Sequence, residues 1–313
     1  MSLSESHRIF IAGGHGLLGS AVVQKLASFG YHNLLLPARA ELDLLDRDAV
    51  NAFYEREAID TVILTAAIVG GAGIANINIP RLYQNIEIQH NVIYGAYKHG
   101  IPNLLFVSSA CVYPKDAPQP ISETSLWQGA LEEVNKPYAV AKLAGMELID
   151  TIRKEAGFNY LTVLINNLFG IKDRFDPKNS HVVAGLIRRI VEAKAKGYEK
   201  LIIAGTASRE IMFSDDCADA IIFLLKNGLQ DFSYINIGSG DDINLLELAK
   251  LISEIVGYTG EVVNDPSLHR GMLHRTLDST KLQNLGWEPK TSLCSGLKTT
   301  IDWWSNQVEN KFD

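Results

Sequence analysis

The chain has 313 residues, of which 47% are hydrophobic and 21% charged, and its formal net charge is −7. This length suits one large domain or two closely joined domains with an ample core. The negative charge argues against nucleic acid or an anionic membrane as the main partner, although a local cationic pocket could still bind a phosphorylated small molecule. The longest apolar stretch, 61–75, is short and broken by glycines, so no membrane span is expected.

The cysteines and the start of the chain carry information about the compartment. Cys111, Cys217 and Cys294 are sparse and have no metal-like spacing, so they are expected to be reduced thiols and no metal site is expected. The first residues contain no apolar segment typical of a secretory signal. Both features predict a cytoplasmic protein.

Apolar runs alternate with helical patterns through the first half of the chain. Strands that are apolar throughout and alternate with helices indicate a parallel sheet covered on both faces. The predicted strands are 8–12, 33–36, 61–66, 103–108 and 160–165. The predicted helices are 20–28, 46–57, 80–100 and 137–155.

The pattern loosens after residue 168, but no low-complexity linker separates the two parts of the chain. A loop is predicted at 169–180, strands at 200–204 and 234–238, and helices at 182–196, 217–226, 245–256 and 292–307. The expected fold class is α/β, with a doubly wound parallel (Rossmann) sheet and a smaller interwoven α+β substrate lobe. The dinucleotide-binding lobe is assigned to 1–168 and 215–238, and the substrate lobe to 169–214 and 239–313.

Three glycines lie where the first strand turns into a helix. Gly13, Gly16 and Gly19 have no side chains, so the backbone there can approach a pyrophosphate, which the N-terminus of the helix attracts. A glycine-rich turn without a ligand is the alternative for such a motif. The other predicted cofactor contacts nearby are Leu17, Leu18 and Ala66.

The end of the second strand bears on the choice of cofactor. NAD enzymes of this architecture place an acid there to hold the ribose 2′-hydroxyl. The segment Pro37-Ala38-Arg39 has no acid, and Arg39 could instead meet a 2′-phosphate. NADP(H) is therefore favoured, with NAD(H) possible and a solvated surface arginine as the alternative for Arg39.

A tyrosine and a lysine lie one helical turn apart in Tyr138-Ala-Val-Ala-Lys142. A free phenol has a pKa near ~10, and a nearby ammonium favours the phenolate. Lys142 can also hold the nicotinamide ribose. Ser109 follows the fourth strand, at the edge where ligands bind in doubly wound sheets. Tyr138, Lys142 and Ser109 are therefore candidate catalytic residues for carbonyl reduction.

Cys111 and His181 are a thiol and an imidazole, which can serve as base and acid when a proton moves on carbon beside a ketone. Taken singly, each has a simpler explanation. A lone cysteine is usually a small buried apolar residue, and a histidine before a helix is usually at the surface.

Several segments together resemble the GDP-L-fucose synthase family of the extended short-chain dehydrogenase/reductase superfamily. The resemblance spans nearly the whole chain, and the combination of Cys111 with Asn179-Ser-His is more discriminating than the glycine turn. The matching segments are Ala12-Gly-Gly-His-Gly-Leu-Leu-Gly-Ser20, Ser109-Ala-Cys-Val-Tyr-Pro114, Gln128-Gly-Ala-Leu-Glu132, Pro137-Tyr-Ala-Val-Ala-Lys142, Asn179-Ser-His-Val182 and Arg188-Arg189.

The resemblance implies an activity and an assembly. The expected reaction is NADPH-dependent conversion of GDP-4-keto-6-deoxy-D-mannose to GDP-L-fucose, by C3/C5 epimerisation and C4 reduction. Ser109 would hold the substrate carbonyl, Cys111 would be the epimerisation base and His181 the acid. Two helices of the first lobe would form a homodimer.

The resemblance also implies binding residues. Asp43 matches an acid that contacts adenine, with a helix-capping or solvated residue as the alternative. The expected contacts of the substrate diphosphate are Asn167, Arg189, Arg209 and Arg275, the last in place of the family's lysine. Arg188 is expected at the surface.

Departures from the family pattern keep other functions open. The segment from Leu268 to Arg275 differs from the family's Asp-Gly-Thr-Pro-Arg-Lys, which could change the accepted sugar. The alternatives are a C4 reductase of another GDP-4-keto sugar, such as a 6-deoxy-heptose, and a sugar-nucleotide 4-epimerase or dehydratase. Ala110-Cys111 stands where a dehydratase has Asp-Glu. A dinucleotide-sensing regulator would be expected to have lost the Tyr138/Lys142 pair.

Overall fold

The structure is a computed structural model, and it describes residues 3–70, 78–178, 180–227, 232–240, 242–268 and 272–309. Its strands and α-helices alternate through the first half of the chain. The strands are β1 (Ile9–Ala12), β2 (Leu34–Leu35), β3 (Thr61–Leu64), β4 (Asn103–Ser109), β5 (Asn159–Ile165), β6 (Asn167–Phe169), β7 (Lys200–Ile203), β8 (Ser208–Phe213), β9 (Tyr234–Ile237), β10 (Asp242–Asn244) and β11 (Glu261–Asn264). The α-helices are α1 (Leu17–Ser28), α2 (Arg47–Arg56), α3 (Asn78–Gln89), α4 (Gly95–Lys98), α5 (Lys136–Ala156), α6 (Val182–Ala195), α7 (Ser214–Lys226), α8 (Leu245–Val256), α9 (Thr280–Asn284) and α10 (Leu293–Glu309).

A six-stranded sheet in the order β2-β1-β3-β4-β5-β9 forms the centre of the molecule, and its strand pairs are all parallel. The chain leaves β1 towards one edge to form β2 and then returns to the other side for β3. Such a reversal opens a crevice at the carboxyl ends of the strands, where ligands bind in doubly wound sheets. The predicted α/β class is confirmed, and so are the predicted strands of this sheet.

The two faces of the large sheet explain why its strands are apolar throughout. Phe10 and Leu104 pack on the side of α2, α3 and α5, whereas Ile11 and Leu105 pack on the side of α1 and α7. Because successive side chains of a strand point to opposite faces, a sheet covered on both faces needs apolar residues at every position.

A smaller region packs around its own core, which includes Phe169, Ile187 and Leu248. It contains a three-stranded sheet, β10-β8-β6, and a parallel pair of β7 with β11. The predicted division of the chain into two lobes stays a prediction. Among the described residues, no helix has both the length and the apolar character of a membrane span.

The structure corrects several predicted elements. The strands β6, β8, β10 and β11 were not predicted, because each is at most six residues long and lacks a clear alternation of apolar and polar residues. The helix predicted at 80–100 is interrupted by a π-helical turn at His90–Tyr94, which separates α3 from α4. The predicted helix at 217–226 begins earlier, at Ser214.

Candidate active site

The glycine turn between β1 and α1 is shaped by two close contacts. Gly13 has a φ of +94°, and a Cβ added to it would lie 2.7 Å from the backbone nitrogen of Ala66. A Cβ added to Gly19 would lie 2.1 Å from the carbonyl oxygen of Gly13. Only glycine fits at these two positions, where the turn folds against the start of α1 and the end of β3.

Gly16 is less crowded, since a Cβ added there would make an ordinary contact of 3.5 Å with the carbonyl oxygen of Gly13. It is the N-cap of α1 and provides no capping side chain. The first N–H groups of a helix have no partner within the helix and form its positive end. This end of α1, at Leu17 and Leu18, therefore fits the pyrophosphate of a dinucleotide.

Arg39 and Asp43 lie together beyond β2. The Arg39 Nη2 is 3.6 Å from Asp43 Oδ2, and the Arg39 side chain is 72% exposed. Asp43 also accepts a hydrogen bond from the backbone N–H of Leu45, at 3.1 Å. The structure thus brings these two predicted cofactor residues into one exposed pair.

Ser109 and Cys111 lie at the carboxyl end of β4. The Ser109 hydroxyl accepts a hydrogen bond of 3.3 Å from the backbone N–H of Cys111 and so caps the short 3-10 turn that follows. The Cys111 Sγ in turn accepts a hydrogen bond of 3.3 Å from Nη1 of Arg275. The backbone of Cys111 is therefore bonded to the serine, and its thiol is bonded to a guanidinium.

Tyr138 and Lys142 are buried on α5, beside the same end of β4. The Lys142 Nζ donates to the carbonyl of Val107 at 2.9 Å and lies 5.8 Å from the centroid of the Tyr138 ring. Burial lowers the pKa of Lys142 to about 7. Such a lysine can lose its proton near neutral pH, unlike an exposed one.

Arg81 of α3 is a second cation near Tyr138, and the sequence reading did not single it out. Its guanidinium lies 5.3 Å from the centroid of the Tyr138 ring. Burial raises the pKa of Tyr138, Cys111 raises it further, and Arg81 lowers it. This buried cation over the phenol therefore offsets part of the cost of burying a phenolate.

Glu132 connects Arg275 to Asn135 and, through Asn135, to Arg81. Its carboxylate lies 2.8 Å from Nη2 of Arg275 and accepts a 2.8 Å hydrogen bond from Asn135. Asn135 in turn accepts a bond of 3.0 Å from Arg81. A continuous set of polar contacts thus runs from Cys111 to the cation over Tyr138.

Arg209 lies beside this cluster. Its guanidinium donates to the carbonyls of Ser208, Leu273 and Met272. Burial and the charge of Arg275 lower the pKa of Arg209, whereas Glu132 and Cys111 act in the opposite direction. Two neighbouring guanidinium groups form a suitable environment for an anion.

His181 stands at the N-cap of α6 and contacts an acid that sequence reasoning missed. Its Nδ1 lies 3.0 Å from Oδ1 of Asp173, whose side chain is 1% exposed. The other Asp173 oxygen is buried and has no hydrogen-bond partner among the described residues. The only signal in the sequence was an acidic residue eight positions before His181. Asn179, which belongs to the matching motif, lies outside the described residues.

The remaining predicted residues have mainly local contacts. The Asn167 amide donates to Asn166 at 3.0 Å and to the carbonyl of Glu210 at 3.1 Å. Arg189 donates to the carbonyl of Ile202, and burial together with Arg188 lowers its pKa.

The expectation for Arg188 was wrong. Its side chain is only 14% exposed and lies 2.6 Å from Glu192, because it extends along α6 towards the next helical turn.

The structure therefore gathers Ser109, Cys111, Tyr138, Lys142 and Arg275 around the carboxyl end of β4. Among the described residues, neither His181 nor Arg189 hydrogen-bonds or ion-pairs with this group. Within the described ranges, no group of His, Cys, Asp and Glu side chains is arranged to hold a metal ion.

Known proteins of similar sequence identify the family of this chain. A model of the NAD dependent epimerase/dehydratase family matches residues 9–238. GDP-L-fucose synthase 1 of Arabidopsis thaliana is 44% identical, over 98% of this chain and 96% of its own. The GDP-L-fucose synthase of Escherichia coli (strain K12) is 42% identical, over 95% of this chain and 96% of its own.

A solved structure adds a related enzyme. The GDP-mannoheptose C4 reductase from Campylobacter jejuni, with NADP bound, has a TM-score of 0.88 and is 32% identical, over 97% of this chain and 99% of its own. The fold and the sequence lead to the same assignment. The chain belongs to the NAD dependent epimerase/dehydratase family and, within it, to the family of the GDP-L-fucose synthases.

Proposed function

We propose that this protein converts GDP-4-keto-6-deoxy-D-mannose to GDP-L-fucose with NADPH, by epimerising C3 and C5 and reducing the C4 ketone. The observation that carries the proposal is Cys111, held beside Ser109 at the end of β4 and next to the buried Tyr138 and Lys142. Relatives named GDP-L-fucose synthase, 42–44% identical over nearly the whole chain, support the same reaction. The protein is an oxidoreductase that also acts as an epimerase.

The cofactor is NADP(H), as in the related reductase with NADP bound. The N-terminus of α1 at Gly16 holds the pyrophosphate, and Arg39 meets the 2′-phosphate. Asp43, salt-bridged to Arg39, lies on the adenine side, and Ala66 lines the turn next to Gly13. Lys142 holds the nicotinamide ribose. When bound, the reduced nicotinamide supplies the hydride to C4.

Ser109 and Tyr138 serve both parts of the reaction. Removing a proton from C3 or C5 beside the C4 ketone gives an enolate, whereas reducing C4 gives a developing alkoxide. Both place negative charge on the C4 oxygen, so the same two hydroxyl donors can stabilise both. Tyr138 then gives its proton to the alkoxide.

Cys111 and His181 move the protons on carbon. The Cys111 thiolate takes a proton from C3 or C5, and His181 returns a proton to the opposite face of the enolate. Asp173 positions His181, because its bond to Nδ1 leaves Nε2 free to face the substrate. Arg209, Arg189 and Asn167 bind the diphosphate.

We also propose a cytoplasmic homodimer. The three cysteines are free thiols in the structure, which suits a reducing compartment. Along α3, the apolar side chains of Ile79, Tyr83 and Ile86 are exposed, and Val140 is exposed on the neighbouring α5. Such a face is well suited to pack against a second copy.

The division of labour can be tested by following two signals in one reaction. The wild type, Cys111→Ser and Tyr138→Phe are each given the GDP-4-keto-6-deoxy sugar in deuterium oxide, with NADPH or NADH. Cys111→Ser should lose deuterium incorporation at C3 and C5 while it still oxidises NADPH slowly, because the thiol is not needed for hydride transfer. Tyr138→Phe should lose reduction far more than exchange, since only reduction needs the phenolic proton and Ser109 still stabilises the enolate.

A matched variant and a second substrate sharpen this test. Asp173→Asn should slow exchange more than reduction if Asp173 positions the carbon acid. If Cys111→Ser exchanges at the wild-type rate, the thiol is a packing residue and a reductase-only function is the better account. A higher kcat/KM for a GDP-4-keto-heptose than for the hexose would show that the sugar has been misassigned.

A further inference from the structure

Arg275 makes an unusual pair of contacts for a residue expected to bind phosphate. One arm of its guanidinium donates to the Cys111 Sγ at 3.3 Å, and the other donates to Glu132 Oε2 at 2.8 Å. Arg275 is 9% exposed and Glu132 is 8% exposed. Both side chains are thus removed from solvent and aimed at groups of the protein itself.

The fork of the arginine side chain makes this arrangement possible. A planar guanidinium presents N–H groups in two fixed directions, so a single residue can bond an anion and a thiol at once. A lysine ammonium is a compact charge and lacks this fixed geometry. The arginine at position 275 therefore gives this chain a bridge that a lysine could not reproduce in full.

Two guanidinium groups lie close to the Cys111 sulfur. Arg275 touches the sulfur, Arg209 lies close enough to interact with it, and Glu132 is the neighbouring anion. Burial acts to lower the pKa of Arg275, but Cys111 and Glu132 outweigh burial, and the pKa is raised above its ordinary value. The guanidinium thus remains charged although it is buried. Tyr138 also interacts with Cys111, and it is neutral at ordinary pH because burial raises its pKa.

We propose that Arg275, held in place by Glu132, is the cation that keeps Cys111 in the thiolate form. Arg275 is then a positioning residue for the carbon base and not primarily a ligand of the substrate diphosphate. The inference rests on the proposed function only in one respect, namely that the thiolate takes a proton from the carbon of a substrate. The contact itself predicts a property of the protein without substrate.

The test measures the reactivity of Cys111 directly. Full-length protein without cofactor is treated at pH 7 with iodoacetamide, whose carbon is attacked by the thiolate as iodide leaves, and peptide mass spectrometry follows each cysteine. Arg275→Met should slow alkylation of Cys111 about tenfold, because the thiolate loses a hydrogen bond from a charged guanidinium and its share at pH 7 falls. The thiolate ultraviolet absorbance should fall in parallel. Cys294, which is partly exposed and remote in sequence, is the internal reference and should react at an unchanged rate.

Three further variants separate charge from structure. Arg275→Lys keeps the charge and should restore part of the reactivity. Glu132→Gln removes the anion of the ion pair but keeps an oxygen that can accept the hydrogen bond from Arg275, so the cation stays in place beside the sulfur and Cys111 should react at least as fast as in the wild type. Arg209→Met removes a cation that does not touch the thiol and should have a smaller effect than Arg275→Met.

The outcomes distinguish this inference from the proposed function. The inference about Arg275 would be overturned if Cys111 in Arg275→Met were alkylated at the wild-type rate. It would also be overturned if Arg275→Met and Glu132→Gln slowed alkylation equally, since a purely structural ion pair would be damaged equally by removing either partner. If alkylation slows as expected but the wild type exchanges no deuterium into substrate, the thiolate exists and the proposed reaction is wrong. If Arg275→Met slows alkylation and the wild type exchanges deuterium into substrate, Arg275→Met should lower the rate of deuterium exchange more than the rate of NADPH oxidation.

Discussion

Lys142 illustrates what burial does to a single residue of the site. Its side chain is 2% exposed, and its Nζ has a carbonyl partner at Val107. The sequence shows a lysine one turn from a tyrosine, but the lowered pKa depends on how completely the folded protein excludes water. We therefore expect the two functions proposed for the residue, holding a ribose and charging the site, to be sensitive to pH.

This burial predicts a pH dependence of stability in the cofactor-free protein. The pKa of Lys142 falls from its ordinary value of 10.5 to about 7 on folding. Between these two values the unfolded chain binds more protons than the folded one, so the free energy of unfolding rises with pH. Urea unfolding at pH 7 and pH 9 should show a larger rise for the wild type than for Lys142→Met, which retains the length and loses the charge. Equal rises in the two proteins would mean that Lys142 is not desolvated.

At the scale of elements, Asp219 joins α7 to two other parts of the chain. Its carboxylate lies 2.9 Å from Nζ of Lys25 on α1 and 2.9 Å from Nζ of Lys290, and it accepts a bond of 2.9 Å from the Trp287 indole. Burial acts to raise the pKa of Asp219, but Lys290, Lys25 and Trp287 outweigh burial and lower it. The carboxylate therefore stabilises the contact between α1 and α7 on one side of the large sheet.

Asp219→Asn should reduce the free energy of unfolding by about 2 kcal/mol at pH 7, because two lysines and the Trp287 indole lose their buried anionic partner. Since the folded pKa is below the unfolded one, this stabilisation is present above the unfolded pKa and disappears as the pH falls through the folded value. Urea unfolding from pH 7 down to about pH 3 should show the difference between variant and wild type shrinking.

Asp215 on the same helix is the matched control. Burial raises its pKa more than Ser214 and Lys25 lower it, so its ionised form is disfavoured. Asp215→Asn should not reproduce the loss. A loss in Asp219→Asn that is constant from pH 7 to about pH 3 would contradict the role of the charge.

At the scale of the whole molecule, the exposed apolar face of α3 and α5 predicts the assembly. Ile79, Tyr83 and Ile86 are spaced by four and three residues, so they lie on one side of α3 and are 80%, 59% and 38% exposed. The wild type should have about twice the mass of the 34.5 kDa chain by light scattering. Tyr83→Glu combined with Ile86→Glu should give a monomer, because burying two carboxylates in the contact is unfavourable.

Phe29 provides the control for this assembly, since it is 40% exposed at the end of α1 and away from this face. Phe29→Glu should leave the dimer intact. A monomeric wild type, or a dimer that survives both substitutions on α3, would show that the copies do not meet there.

The sequence by itself determined the features that neighbouring residues encode. The glycine turn, the Tyr138 and Lys142 pair and the apolar strands of the large sheet are all local patterns, and the structure contains each of them. A turn needs particular backbone angles, and a covered sheet needs apolar residues at every position. Both demands are met within a few residues of chain.

The tertiary structure decided which distant groups meet. Arg275 is 164 residues from Cys111 and 143 residues from Glu132, while Arg81 reaches Tyr138 from another helix. A single charged residue carries no local sign of its partner, so the sequence offered Arg275 as a phosphate ligand and passed over Glu132 and Arg81. The short strand β8 was missed for the same reason, since it is defined by its pairing with β6 and β10 rather than by its own pattern. The desolvation that lowers the pKa of Lys142 likewise exists only once the helices and the large sheet have packed around it.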